Sequence, residues 1–398
     1  MDRATPASRE RAVDGIRAVA VCGVVLGHWL VTGLVRGEDG GLRTASPLQS
    51  MPDLAAASWL LNTLALFFFV GGCVAARGRR RSRERGERYG HWLRVRLARL
   101  ARPVLLVAAV WGAALVLGAL LGIPAETLRT GALLTLQPLW FIVVYAAVTA
   151  LTPLAEAADR RWGAAAALLP AAAVAAVDLT RYGPWDRDPV FAEQLAYANV
   201  LTAWLFAHQL GVSWNSGRLS PSTGLALLLG GAAGLLALVH FGYPVSAVGV
   251  PGAERSNAAP PSLLIPALAA AQIGAAVLLR APLERLLSRP APWAAVAGLN
   301  LCALTVFCWH LTALVLVAAA GAQLGTIPGL TDAPDHPAWA AARLAWLLPI
   351  AAVLAAITAA ARRFEDPWSR GALRRSAVRA AVALAAVGFV AAASTLLQ

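Results

Sequence analysis

The sequence predicts an all-α fold, a polytopic membrane helix bundle of 10–11 transmembrane helices with a cytoplasmic N-terminus. Three observations carry this prediction. Hydrophobic residues make up 59% of the 398-residue chain and charged ones 14%, against roughly 25% charged in a soluble domain. Apolar runs recur along the whole chain at the length of about 17–25 residues that a bilayer requires. Arginine is also divided very unequally between alternate loops. The profile excludes a disordered chain, a collagen-like chain and an ordinary soluble enzyme.

Eleven segments qualify as spans: 13–35, 54–76, 103–122, 131–152, 163–179, 194–211, 223–241, 262–280, 293–320, 338–361 and 377–397. The first holds Asp14, Arg17 and His28 and is followed by no small-x-small cleavage site, so it reads as a retained helix rather than a signal peptide. The second ends in Phe67-Phe68-Phe69-Val70-Gly71-Gly72, where paired glycines allow close backbone approach. The fourth opens with Gln137-Pro138-Leu139-Trp140-Phe141. The fifth and sixth are the weakest, being short or interrupted by polar residues. The ninth carries Phe307-Cys308-Trp309-His310, and the tenth exits into Phe364-Glu365-Asp366-Pro367-Trp368. The runs are too long and too uniformly apolar for barrel strands, so only helices fit. Residues 1–370 read as one membrane domain and 371–398 as an additional C-terminal helix.

Orientation follows from arginine. All 34 basic residues are arginine, and the chain has no lysine. With the N-terminus inside, 26 of them face the cytoplasm, eleven in the segment 77–102 alone. Six face outward: Arg36, Arg43, Arg129, Arg181, Arg187 and Arg255. That asymmetry is the positive-inside pattern, and it places the protein as a multi-pass protein of the cell (plasma or inner) membrane. It also accounts for the basic net charge of +13 without nucleic acid, since no soluble domain exists to host a nucleic-acid-binding fold. The dense 77–102 segment has two readings: contact with anionic membrane lipid, or a cytoplasmic site for a phosphorylated ligand, because guanidinium forks match phosphate oxygens. The Ala-rich, lysine-free composition suggests a GC-rich bacterial genome. Cys22, Cys73, Cys302 and Cys308 all lie in apolar runs with no C-x-x-C pair, which points to small buried hydrophobes and to no metal site.

Ionisable residues inside spans are costly and are functional candidates by default. Arg17 and His28 are eleven positions apart, so they share one helix face about 16 Å apart along the axis. Asp14 and Arg17, at i and i+3, can pair near the cytoplasmic mouth. A neutral imidazole in a dry site can act as general base or transient nucleophile. His310 is a second histidine near mid-span. Asp178, Asp186, Asp188 and Glu193 with Trp185, then Ser256-Asn257, and Asp332, Asp335 and His336, populate the outer loops, where carboxylates and aromatics could hold a sugar. Arg343, at the outer end of the tenth span, is placed to face Asp332 or Asp335.

Taken in order, these segments resemble the acyltransferase-3 family of integral membrane acyltransferases, from about residue 11 to residue 370. Arg11-Ala-Val-Asp14-Gly15-Ile-Arg17 is similar to the family's opening segment, and Arg17 with His28 matches its R-x10-H motif. Phe67 to Gly72 resembles its Phe-Phe-x-x-Ser-Gly segment. Arg96, Arg99 and Arg102 before Pro103 resemble its cytoplasmic R-x-x-R element, one of five such registers in the loop. Phe307 to His310 resembles the late Tyr-x-x-His segment, and Glu365-Asp366-Pro367 the Glu-x-Pro exit. Two positions depart: Gly71 stands where the family has serine, and Phe307 where it has tyrosine. The eleventh helix is one more than the family's usual ten.

The resemblance implies an O-acyltransferase with no permanently bound cofactor. Its partners would be acyl-CoA, acetyl-CoA in the simplest case, as donor substrate, and a glycan or a hydroxylated small-molecule or lipid acceptor. It assigns His28 as catalytic base or acyl relay, Arg17 and Asp14 to orient the thioester end, and Arg96, Arg99 and Arg102 to grip the CoA phosphates. Trp140, His310 and Glu365 are further site candidates. The competing reading is a proton-coupled transporter or flippase using Asp14, Arg17, His28 and His310, against which stands the lack of an internal repeat.

Overall fold

The computed structural model describes residues 10–38, 40–182 and 194–362. Among these, eight helical segments are long and apolar enough to cross a membrane, and nine if one bent pair counts as a span. The chain begins with α1 (Arg11–Val31), followed by a hairpin of β1 (Gly33–Arg36) and β2 (Leu42–Ala45). Short helical turns lead into α2 (Leu64–Glu84), then α3 (Tyr89–Leu120). Next come α4 (Ala125–Leu136) with α5 (Leu139–Ala150), and α6 (Thr152–Trp162) with α7 (Leu168–Tyr182). The later elements are α8 (Asn199–Asn215), α9 (Pro221–His240), α10 (Leu264–Leu278), α11 (Arg280–Leu287), α12 (Pro290–Ala322) and α13 (Pro337–Ala361). The protein is an all-α polytopic membrane protein. The expected eleventh helix, 377–397, and the domain boundary at 370 lie outside the described residues.

Ten of the expected spans have a helix at their place, and four have features of their own. The first stops at Val31 instead of 35. Thr32 N–H closes the last turn on the His28 carbonyl at 2.9 Å, and the chain then enters the antiparallel hairpin in the register Gly33↔Ala45 to Arg36↔Leu42. The second breaks at Asn62-Thr63, whose side chains donate to Ala247 O (2.8 Å) and Ala20 O (2.9 Å). The sixth, α8, has 17 residues and buries twelve of them. It is an interior helix, which is why its polar residues His208, Gln209 and Ser213 are tolerated. The eighth span is bent by 56° between α10 and α11.

Contacts divide the described residues into two compact units. The first comprises residues up to Val24, Leu54–Arg94 and Val143–Leu301; the second comprises Val25–Asp53, Val95–Ile142 and residues from Cys302 onward. In the first, α2 crosses α8 at backbone contact. A Cβ on Gly72 would collide with the His208 carbonyl, and one on Gly211 with the Phe69 carbonyl. The paired glycines of the sequence thus serve two neighbours. Gly72 admits α8, while the space beside Gly71 is filled by Tyr145, whose ring and hydroxyl lie 2.6 and 3.0 Å from where a Cβ would stand. Phe68 stacks on Trp204 with centroids 4.9 Å apart on the same crossing.

In the second unit, Leu42 of β2 donates to Thr127 Oγ1 (2.9 Å) and accepts from Thr130 Oγ1 (2.7 Å), fastening the hairpin to α4. Trp111 of α3 donates to Thr312 Oγ1 of α12 at 2.9 Å, setting the axial register of those helices.

The crossing gives a direct expectation. Gly211→Ala must push α8 off α2, because the obstacle is backbone, and overpacking of this kind costs about 1–3 kcal/mol. The variant is expected to melt several degrees below wild type in detergent. Gly230→Ala, where a Cβ meets nothing within 4 Å, serves as the control and is expected to melt with the wild type.

Candidate active site

α1 carries Asp14, Arg17 and His28 on one unbroken helix. Asp14 and Arg17 are half-buried in the first unit, where Asn300 Nδ2 donates to the Asp14 carbonyl at 2.8 Å. Around them the N-terminal end of α1 is held by charge. Glu10 accepts from Arg77 (2.8 Å), Arg280 (2.9 Å) and the Trp214 indole (2.9 Å). Arg11 donates to Leu287 O and lies over the Trp293 ring at 4.8 Å.

His28 lies in the second unit, and there the structure brings together two residues separated by 282 positions: His28 Nδ1 is 2.6 Å from His310 Nε2. The ring centroids are 4.9 Å apart and the planes only 14° apart. With nitrogens this close, that centroid separation means two rings meeting edge to edge in nearly one plane, the arrangement for an N–H···N bond and not for stacked faces. His310 Nδ1 is 2.6 Å from the Phe307 carbonyl.

That last contact orders the protons. A carbonyl only accepts, so His310 Nδ1 carries the hydrogen. The neutral His310 ring then offers Nε2 as an acceptor, His28 Nδ1–H donates to it, and the lone pair of His28 is left on Nε2. His310 is fully enclosed, whereas His28 keeps part of its surface open. The phenylalanine that departs from the expected tyrosine at 307 costs this chain of bonds nothing, because the main chain makes the contact.

The remaining wall is aromatic. Phe307 lies 5.8 Å from His310, and Phe141 lies 4.8 Å from Phe307. Trp140 is 40% exposed and meets Phe141 edge-on at 6.5 Å. Sequence reasoning singled out Trp140; its neighbour Phe141, which was no site candidate, also belongs to this wall. Glu365 lies outside the described residues, as do Asp186, Asp188, Glu193 and Trp185.

Arg96, Arg99 and Arg102 lie on α3, with Arg99 exposed and the other two half-buried. Counted along α3 from Trp111, which is level with Thr312 and so near His310, Arg102 is about 14 Å away and Arg96 about 22 Å. Elsewhere in the arginine-rich segment, carboxylates are close at hand. Arg77 pairs with Glu10, Arg79 and Arg83 with Glu156, Arg80 with Glu84, and Arg85 with Glu87. Among the described residues no group of three His, Cys, Asp or Glu side chains could hold a metal ion.

The outer-loop candidates have mostly structural employment. Asp178 accepts from Asn199 Nδ2 (3.1 Å), Tyr243 Oη (3.1 Å), Leu263 N (2.6 Å) and Arg181 (3.4 Å). Tyr243 stacks on Tyr182 at 3.9 Å, and Arg255 lies 5.0 Å from the Tyr182 ring. Asn257 donates to the carbonyls of Pro244 and Ser246. Asp332 accepts from Gly329 N (2.8 Å), and His336 caps α13 by accepting from Ala338 N (3.2 Å). Arg343 does not spend its donors on Asp332 or Asp335; it hydrogen-bonds three backbone carbonyls, those of Trp29, Thr32 and Gly329.

A family model described as an acyltransferase domain, of the acyltransferase-3 type, matches residues 10–362. No curated protein and no solved structure matches the chain.

One expectation concerns Tyr243, which lies beyond the end of α9. Burial, and then the neighbouring Asp178 charge, pushes its phenol well above the ordinary range. The folded state therefore holds this proton more tightly than the unfolded chain does. The stabilisation is whole below the usual tyrosine value of about 10 and is lost as pH rises beyond it. In an absorbance titration of tyrosinate, Tyr243→Phe is expected to remove only a late step. An early step removed instead would contradict the assignment.

Proposed function

Because the chain belongs to the acyltransferase-3 family and is a membrane acyltransferase, we propose that it moves an acyl group, acetyl in the simplest case, from cytoplasmic acyl-CoA to a hydroxyl of a glycan or a related small-molecule or lipid acceptor. The observation that carries this reading is the His28–His310 bond, which presents a lone pair on His28 Nε2. In the proposed reaction that nitrogen takes the proton of the acceptor hydroxyl as its oxygen attacks the thioester carbonyl. The tetrahedral adduct then collapses, the C–S bond breaks, and His28 returns the proton to sulfur. The products are one ester and one free CoA thiol, so atoms and charge balance. His310 holds the ring in the reactive tautomer and accepts from His28 Nδ1–H throughout, the role of an orienting partner for a general base.

Two further observations support the donor side. Arg96, Arg99 and Arg102 share one helix, and Arg99 is exposed on it. The axial offset of those arginines from the level of the histidines suits a donor whose phosphates and reacting carbonyl are joined by a long arm. With the N-terminus inside, as the arginine asymmetry argues, this end of α3 faces the compartment that supplies CoA. Arg17 and Asp14 remain assigned to orienting the thioester on the strength of the family motif.

The test is release of CoA thiol from acetyl-CoA by purified protein, with lipid and glycan extracts as acceptors. His28→Ala is expected to lose about 10²–10⁴ in kcat, the usual worth of a general base, while still accumulating in the membrane. His310→Ala is expected to fall by a similar order, and His310→Gln by less, since a carboxamide oxygen can still accept from Nδ1–H. Full turnover by His28→Ala would defeat the proposal, and acceptor flux without covalent change would favour a transporter. Separately, replacing Arg96, Arg99 and Arg102 together by Gln is expected to raise KM for the donor with kcat nearly kept, the signature of lost ground-state binding. An unchanged KM would remove those arginines from the donor site.

A further inference from the structure

Arg343 is fully buried on α13, and a charge within a span is costly enough to call for a reason. Its Nε donates to the Trp29 carbonyl (2.8 Å), its Nη2 to Thr32 O (2.8 Å) and its Nη1 to Gly329 O (3.1 Å). Trp29 directly follows His28. Its carbonyl belongs to the last turn of α1, where four carbonyls lack a partner within the helix. The His28 carbonyl takes Thr32 N–H, so the guanidinium grips the helix end at Trp29 and Thr32, in the turn that follows the His28 ring. The Trp29 indole meanwhile donates to the His310 carbonyl at 2.8 Å. Trp29, the residue next to His28, is therefore tied both to Arg343 and to the main chain of His310.

The third carbonyl is brought into place by a glycine. Gly329 has φ +72°, and a Cβ there would stand 2.5 Å from Arg343 N and 2.6 Å from Ala342 C. Only a residue without a side chain lets this loop press on α13 and present its carbonyl to the guanidinium. The three carbonyls come from two segments, the end of α1 and the loop before α13, and converge on one planar group. A guanidinium meets that demand with five donors in a fixed fork, and an ammonium with freely rotating donors does not. The positive charge also complements the negative end of the α1 dipole.

Resting on the reading of His28 as the base, we propose that Arg343 is a positioning residue. It clamps the last turn of α1 so that the His28 ring stays in the plane of His310 with Nε2 directed away from it. Arg343 touches no reacting atom and acts through α1.

Arg343→Lys keeps the charge and most of the bulk. It is expected to accumulate like wild type, to keep the KM for acetyl-CoA and to lower kcat about tenfold or more, because displacement of a reacting group by about 1 Å is that costly. Carbethoxylation of His28 by diethyl pyrocarbonate, followed by mass spectrometry, is expected to be several-fold faster in the variant as the ring leaves His310. A wild-type kcat in Arg343→Lys, or a kcat that falls only in proportion to the folded fraction, overturns the proposal. If the lysine variant does not fold, Arg343→Ala supplied with methylguanidinium takes its place. Saturable recovery of turnover is then expected, and no recovery overturns the proposal. Should wild type release no CoA at all, the acyl-transfer reading fails. The labelling rate alone then decides the clamp, and an unchanged rate in Arg343→Lys refutes it.

Discussion

A helix that ends where the chain runs on into the protein interior, as at the buried residues Thr32 to Leu34, leaves carbonyls with no water to receive them, and each such group must find a protein donor. α1 ends in this way at Val31, and the second structural unit is organised around satisfying that end. Thr32 closes the final turn, Arg343 takes the carbonyls of Trp29 and Thr32, and Gly329 surrenders its side chain so that its own carbonyl can share the same guanidinium. The hairpin after α1 is fastened to α4 through both backbone groups of Leu42. His28 sits one residue from this knot, so the demand for backbone satisfaction and the demand for a fixed imidazole are met by the same contacts.

Chemistry is built on that anchor with few parts. The main-chain carbonyl of Phe307 sets the proton on His310, and His310 sets the proton on His28. The aromatic rings of Phe307 and Phe141 keep the surroundings apolar. The arginines proposed for the donor lie on α3, whose axial register against α12 is set by an indole hydrogen bond, Trp111 to Thr312.

Much of this was legible in the sequence. Apolar run length located the spans, since the bilayer thickness that sets it is independent of tertiary detail. The R-x10-H spacing isolated Arg17 and His28, and an unusual intramembrane charge drew notice to Arg343. Other features were hidden because they depend on partners distant in sequence. Nothing near His310 announces His28 as its neighbour, and nothing near Arg343 names three carbonyls rather than the acidic residues a few positions away. α8 read as a weak span because its polar residues face other helices, information that a hydropathy pattern averages out. Gly71 read as a lost hydroxyl, whereas the space beside it holds the Tyr145 hydroxyl.

The bond sequence that starts at His28 ends on an uncharged amide oxygen, not on a carboxylate. In a hydrolytic triad a fixed anion waits for the imidazolium and makes the protonated state a resting place. Among the described residues, a proton captured by the proposed base meets only dipoles along this sequence of bonds, so the cation is a state of high energy from which the proton is driven onward. Such a dyad is suited to delivering a proton within the same turnover and poorly suited to keeping one. The electroneutral pair is the form to which the site returns.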